Sequence, residues 1–149
     1  MDDNKNNDLF DEMPFERLIN NIVRNGVKYF LLKSEEIVLS RDGYYLLAIQ
    51  SSDKDLSQDD IVNMFFQSKA TVAKALKKLE DEGYITREVN KNNTRKYILK
   101  LTEKGEEIAP KLRSELNHWA EAVGINELSD ETMAKIRDVA RKSYDLVNI

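Results

Sequence analysis

A change of hydrophobic period at Gly83 constrains this chain of 149 residues more than any other feature. Ahead of it, Val72, Leu76 and Leu79 recur at helical spacing from a start at Ser68, so they line one face of a helix. Beyond it the period drops to two. Tyr84-Ile85-Thr86-Arg87-Glu88-Val89 is β-rich, Asn90-Lys91-Asn92-Asn93-Thr94 is a turn cluster, and Arg95 to Leu101 alternates again. Gly83 can adopt the left-handed conformation that closes a helix, so the helix is expected to run directly into a β-hairpin.

A second local pattern occurs three times: a Leu, a Ser, then acidic or polar residues, and an apolar residue five positions after the Leu. The instances are Leu39-Ser40 with Tyr44, Leu56-Ser57 with Ile61, and Leu128-Ser129 with Met133. Each places a Ser hydroxyl where it accepts from an otherwise unpaired backbone N–H, with the apolar pair forming a staple across the helix start. The first opens a short helix through Tyr44, Leu47 and Ala48, and the second opens one through Ile61, Met64 and Phe65. Only about three residues then precede the helix starting at Ser68, which is the spacing of a helix-turn-helix.

Outside this middle region the periodicity stays helical. Pro14 suits a first helical position, and Phe15, Leu18, Ile19, Ile22, Val23, Gly26 and Phe30 follow on one face. Thr102 caps a long helix through Ile108, Leu112, Leu116, Trp119 and Val123, with a kink expected near residues 106 to 110 because of Pro110. Gly124 closes it, and a last helix from Ser129 carries Met133, Ile136, Val139, Ala140, Tyr144 and Val147. Residues 1–13, rich in Asp and Asn, read as a solvated tail. The expected fold is therefore mainly α with a small β-hairpin wing. A winged helix-turn-helix lobe spans 39–102, with its recognition helix at about 68–83 and its wing at about 84–101. It is flanked by an N-terminal helix at 14–38 and C-terminal helices at 103–149.

Composition closes several alternatives. A 41% apolar and 34% charged chain, with a mean hydropathy of −0.58, has no apolar run near the roughly 18 residues of a membrane span, so a soluble protein is expected. The absence of Cys removes disulfides, thiolate zinc sites and thiol chemistry. An acidic start (Met1-Asp2-Asp3) lacks the basic and apolar regions of a signal peptide, which makes the cytoplasm the default location. There is no Gly-rich phosphate loop, G-x-S-x-G elbow or recognisable carboxylate pair, so neither an enzyme nor a cofactor is expected. His118, the only histidine, is read as a packing or surface residue rather than a metal ligand.

The net charge of −4 first argues against a nucleic-acid partner, but its distribution reverses that. From Gln67 to Lys104 the chain carries ten Lys or Arg and five acids, a net of +5; the remaining residues hold 13 basic and 22 acidic side chains, a net of −9. A segregated basic face is the footprint of phosphate binding. In a winged helix-turn-helix, the second helix enters the major groove by its N-terminal end. That places Gln67, Ser68, Lys69, Ala70, Thr71 and Lys74 at base edges, with Ser68 also available as the N-cap. Gln can bond adenine, Lys can reach guanine, and Ala70 or the Thr71 methyl can touch a thymine methyl. Lys91, Asn92, Arg95 and Lys96 on the wing are expected at phosphates or in the minor groove, Arg95 foremost.

The residues that carry this pattern resemble the MarR (multiple-antibiotic-resistance regulator) family of transcription factors. The likeness covers Leu39-Ser40 through Ile49, Leu56-Ser57-Gln58-Asp59-Asp60-Ile61, Ser68-Lys69-Ala70-Thr71-Val72 and Leu79-Glu80-Asp81-Glu82-Gly83-Tyr84-Ile85. It ends in the wing, where the family's Asp-x-Arg, five residues, Leu-Thr is here Asn93-Thr94-Arg95, Lys96 to Lys100, then Leu101-Thr102. Two positions depart: Asn93 replaces the Asp that pairs with the wing Arg, and Phe66 lies in a turn where many such proteins have Gly. They imply a looser hold on Arg95 and altered turn packing.

The resemblance implies a homodimer whose terminal helices intertwine, acting as a repressor on a pseudo-palindromic double-stranded DNA operator. It also implies a cleft for a small aromatic effector near Tyr29, Phe30, Tyr44, Tyr45 and Phe65. Plain core packing is the simpler reading of aromatics at that spacing. The alternative function is a winged-helix module for protein or RNA contacts without sequence-specific DNA binding; the salt dependence of duplex binding separates the two.

Overall fold

The computed structural model describes residues 9–33 and 42–148. Its organising element is a pair of helices and a hairpin around one apolar core. Helix α1 spans Phe15–Lys33, α2 Gly43–Ser51, α3 Gln58–Phe65 and α4 Lys69–Asp81. Strands β1 (Ile85–Asn90) and β2 (Asn93–Leu101) follow, then α5 (Glu103–Ala122), a 3-10 turn at Ile125–Glu127, and α6 (Asp130–Val147). The result is mainly helical with a small antiparallel hairpin, as the periodicity predicts. Among the described residues no helix is long and apolar enough to cross a membrane.

Two of the three expected serine caps can be inspected, and both form. Ser57 accepts from the Asp60 N–H, while Asp60 accepts in return from the Ser57 backbone N–H at 2.7 Å, which makes a reciprocal capping box at the start of α3. Ser129 accepts from the Thr132 N–H at 3.2 Å. The expected cap at Ser40 lies outside the described residues. Asp42 stands at the N-cap of α2, with a helical backbone and no side-chain cap bond.

Helix α4 ends where Gly83 enters the left-handed region, at φ +81°. There the Tyr84 N–H reaches back to the Leu79 carbonyl at 2.9 Å and the Gly83 N–H to the Glu80 carbonyl at 3.0 Å, the paired bonds of a Schellman closure. Val72, Ala75, Leu76 and Leu79 of α4 are buried against Leu46, Ile61, Ile85, Leu99 and Leu112, a core shared by helices and hairpin. Leu56 joins the hairpin as a short extra rung: its carbonyl accepts from the Leu99 N–H at 2.8 Å.

At the base of the hairpin, Thr102 is a junction. Its hydroxyl donates to the Gly83 carbonyl at 2.6 Å and accepts from the Gly105 N–H at 3.1 Å, so one side chain both closes the sheet and caps α5. Gly105 has no room for a side chain. A Cβ there would sit 2.2 Å from the Tyr84 carbonyl oxygen. Helix α5 continues through Pro110 without interruption.

The boundaries differ from expectation at the N-terminus. Pro14 stands just outside α1, its carbonyl accepting from Arg17 and Leu18 at 3.0 and 3.1 Å. Leu9 to Asp11, within the segment read as a solvated tail, are helical, with Leu9 and Phe10 exposed. The expected helix at 14–38 is described as far as Lys33. Residues 116–149 form a separate compact unit in which α6 buries none of its 18 residues.

Candidate nucleic-acid interface

Gln67, Ser68, Lys69, Ala70, Thr71 and Lys74 are all exposed, while Val72 and Ala75 on the same helix face the core. The structure thus gathers the six candidate residues at the N-terminal end of α4. Their chemistry is not equal. Ser68 accepts from the Thr71 N–H at 3.1 Å, and the two hydroxyls share a hydrogen bond of 2.8 Å. Capping therefore engages both hydroxyls, leaving the Thr71 methyl, the Gln67 amide and the two ammonium groups for an incoming ligand.

The turn ahead of α4 holds a feature that sequence reasoning underrated. Phe66 takes φ 52° and ψ 36°, the only described non-glycine residue at positive φ, and is 68% exposed. A side chain in that region costs about 1–2 kcal/mol because its Cβ crowds the following carbonyl. Beyond altered packing, Phe66 occupies the backbone conformation that favours glycine. The Gln67 N–H closes the turn on the Val62 carbonyl at 3.3 Å.

The wing is tighter and less regular than an alternating hairpin. Pairing runs from Ile85↔Leu101 to Val89↔Tyr97, then shifts so that Asn90 faces Asn93. Thr94, Arg95 and Lys96 consequently bulge from β2 at the wing tip. Asn90 Oδ1 accepts from the Asn92 and Asn93 N–H groups at 2.9 and 3.3 Å, which shapes the turn. Asn93, where the family carries Asp, instead uses its Oδ1 to accept from the Arg95 backbone N–H at 3.2 Å. The Arg95 position is set by its backbone, and its guanidinium forms no ion pair among the described residues.

Ion pairs sort the ten cations of this lobe. Lys77, Lys78, Arg87 and Lys100 pair with Asp81, Asp42, Glu80 and Asp55. Lys104 donates to the Glu82 carbonyl at 2.9 Å and sits over the Tyr84 ring at 4.2 Å. Lys69 and Lys96 share one partner, Asp59, at 3.9 and 3.6 Å, so a carboxylate at the start of α3 bridges recognition helix and wing. Lys74, Lys91 and Arg95 pair with no carboxylate among the described residues. These three are the cations most available to phosphates.

A cleft of about 220 Å³ opens beside the wing, lined by residues that include Gln58, Asp59, Arg87, Arg95 and Lys96. Arg87 and Asp59 were not among the sequence candidates. Arg87 shares a face of β1 with Ile85 and Val89, so a cation at an inward position was the available signal. Its Nε lies 3.2 Å from Glu80 in an ion pair that makes no hydrogen bond. Nearby, hydrogen bonds from the Ser57 backbone and hydroxyl hold the Asp60 carboxyl below its ordinary range, with Lys96 and Lys54 adding to the effect.

The aromatic candidates do not share one environment. Tyr45 is 4% exposed and meets Phe65 edge-on at 4.8 Å, a core contact. Tyr44 beside it is 46% exposed, its phenol pushed up in pKa by partial burial. Tyr29 packs edge-on against Phe30 at 5.5 Å and donates to Glu115 at 3.3 Å; burial, then the Glu115 charge and hydrogen bond, raise its pKa. Both shifted phenols stay protonated at neutral pH, and that of Tyr29 donates to Glu115.

Comparison with known proteins agrees with this geometry. Residues 40–96 match the model of the MarR family. The chain is 28% identical over 114 residues to the HTH-type transcriptional regulator BilQ of Clostridioides difficile, covering 74% of this chain and 76% of that one. Among solved structures it is similar to a MarR family transcriptional regulator from Listeria monocytogenes complexed with a 26mer DNA, at 25% identity and a TM-score of 0.69, covering 91% and 89% of the two chains. The fold also matches that of S. aureus MepR in its DNA complex, at 22% identity and a TM-score of 0.74, with 92% and 100% covered.

Proposed function

We propose that this chain, whose residues 40–96 match the MarR family of winged-helix transcriptional regulators, is a cytoplasmic repressor that grips a pseudo-palindromic double-stranded DNA operator as a homodimer. The observation that carries this reading is the set of cations with no ion pair among the described residues, Lys74 on the recognition helix and Lys91 and Arg95 on the wing, flanking the exposed Gln67 to Thr71 segment. A helix end reading bases with a basic wing beside it is the division of labour that such folds use on duplex DNA. The DNA complexes of the Listeria and S. aureus proteins support the same partner.

Homodimerisation is supported by the terminal helices. Phe15, Ile22 and Val23 of α1 and Val139, Leu146 and Val147 of α6 are exposed in the single chain. Two-fold pairing would set the recognition helices about 34–36 Å apart, one DNA turn. Release by a small aromatic effector requires a ligand that prefers a different spacing of the lobes, and Tyr44, half-exposed beside the core, offers a neutral phenol to such a ligand, whereas the Tyr29 O–H is engaged by Glu115.

Selection of bound duplexes from a random pool tests the reading. A two-fold motif with half-sites one turn apart, and affinity that falls steeply with salt, is expected. Binding without a salt slope favours the protein-contact or RNA-contact module instead. On the selected site, Arg95→Ala is expected to weaken binding about tenfold in gel shift with the dimer intact; unchanged affinity removes Arg95 from the interface.

A further inference from the structure

We propose that Asp59 is a specificity-determining residue that directs the Lys69 ammonium to a guanine base edge and away from phosphate, an inference that rests on the DNA-binding reading. Asp59 is the second residue of α3, and the cap of that helix is already made by its neighbours, Ser57 and Asp60. DNA binding taken alone disfavours an acid here, because a carboxylate beside the reading surface repels phosphates. Its two ion pairs show what the charge does instead.

Each carboxylate oxygen faces one lysine. Oδ1 lies 3.9 Å from Lys69 Nζ on the recognition helix, and Oδ2 lies 3.6 Å from Lys96 Nζ on the wing. The pair with Lys69 is longer than a hydrogen bond and that side chain is 79% exposed, so its three ammonium protons remain able to donate. The Asp59 charge then decides which acceptor they meet. A phosphate oxygen is an anion, and drawing it onto Lys69 brings it against the carboxylate. Guanine O6 and N7 are neutral, so the ammonium can bond them while it keeps its ion pair. Repulsion therefore falls on the phosphate contact and spares the base contact. Random duplex is held by phosphate contacts alone, which makes Asp59 a penalty on the wrong sequence. Lys74 on the same helix has no carboxylate partner among the described residues and stays a phosphate ligand.

Substitutions and a base analogue together test the proposal, with the selected duplex and a random duplex as probes. Asp59→Asn is expected to tighten binding to the random duplex and to lower the ratio of selected to random affinity about tenfold. Replacing each guanine of the half-site by 7-deazaguanine removes one N7 at a time. One such replacement should weaken the parent severalfold, weaken Asp59→Asn less, and leave Lys69→Met unaffected. In the Lys69→Met background Asp59→Asn should no longer lower the ratio. Glu88→Gln, which neutralises an exposed acid of β1 outside both ion pairs, should tighten both duplexes alike. An unchanged ratio for Asp59→Asn, with parallel tightening as in Glu88→Gln, overturns the proposal. So does a parent indifferent to every 7-deazaguanine, a selected half-site without guanine, or a ratio that Asp59→Asn lowers equally with and without Lys69. That last comparison decides the matter even where Asp59→Asn alters thermal melting, since the altered stability is common to both backgrounds. Should the parent bind no duplex, the DNA-binding reading fails with it; should the parent discriminate while Asp59→Asn keeps its ratio, only this inference fails.

Discussion

The middle lobe and the C-terminal helix spend their apolar residues in opposite ways. Val72, Leu76, Leu79, Ile85 and Leu99 of the lobe are buried within a single chain. Helix α6 carries an equally periodic stripe, yet Val139 is 48% exposed and Val147 78%. The lobe thus satisfies its hydrophobic pattern with local partners, whereas α6 presents one that a second copy would complete. A strongly amphipathic sequence predicts a buried face in both cases without saying whose surface buries it.

The sharpest break of this contrast is at the closure of the lobe. Gly105→Ala forces a methyl to within 2.2 Å of the Tyr84 carbonyl, so we expect about 1–3 kcal/mol of destabilisation, read as a fall of several degrees in thermal melting. In α6 the effect should appear in assembly instead. Val139→Glu is expected to leave the helical signal of the monomer unchanged and weaken dimerisation by about 1–2 kcal/mol, measured by sedimentation across a dilution series. A variant that stayed equally dimeric would place Val139 outside the interface.

Ser57→Ala is expected to cost about 1 kcal/mol through loss of the cap on α3. It also carries a pH signature. Asp60 has a folded pKa below its unfolded value, so its contribution is fully present above the unfolded value and fades as pH drops through the folded one. Acid unfolding of Ser57→Ala should therefore show a shallower loss of stability over that window than the parent. The smallest stability effect belongs to Asp59→Asn, an exposed bridging acid worth about 0–1 kcal/mol. Its consequence lies in binding: freeing Lys69 and Lys96 from a shared carboxylate should steepen the salt slope on nonspecific DNA and tighten that binding severalfold.

The local part of the fold was legible because its signals act within a few residues. Ser57, Ser68 and Ser129 each cap the helix that follows, and Gly83 and Gly124 take the left-handed conformation expected of them. The order helix, turn, helix, hairpin followed from those marks, and the candidate residues from their place in it. What stayed hidden joins distant segments. The Leu56 to Leu99 bridge and the Asp59 link to both Lys69 and Lys96 depend on how the chain returns upon itself, which no local period records. Phe66 was illegible for another reason: side-chain preference points to glycine in its conformation, so the residue argues against the geometry it adopts.

The Leu99 bond to Leu56 has a mechanical meaning. Both fastenings sit at the base of the hairpin: Leu99 is stitched to the segment that leads into α3, and Thr102, just past the end of β2, is fastened to Gly83. Pinned twice at its base, the wing has no pivot where it joins the lobe and turns there with the helices beside it. A signal that repositions the reading head must therefore act as a torque on the whole lobe, with its hinges in the chain before Leu56 or beyond Thr102.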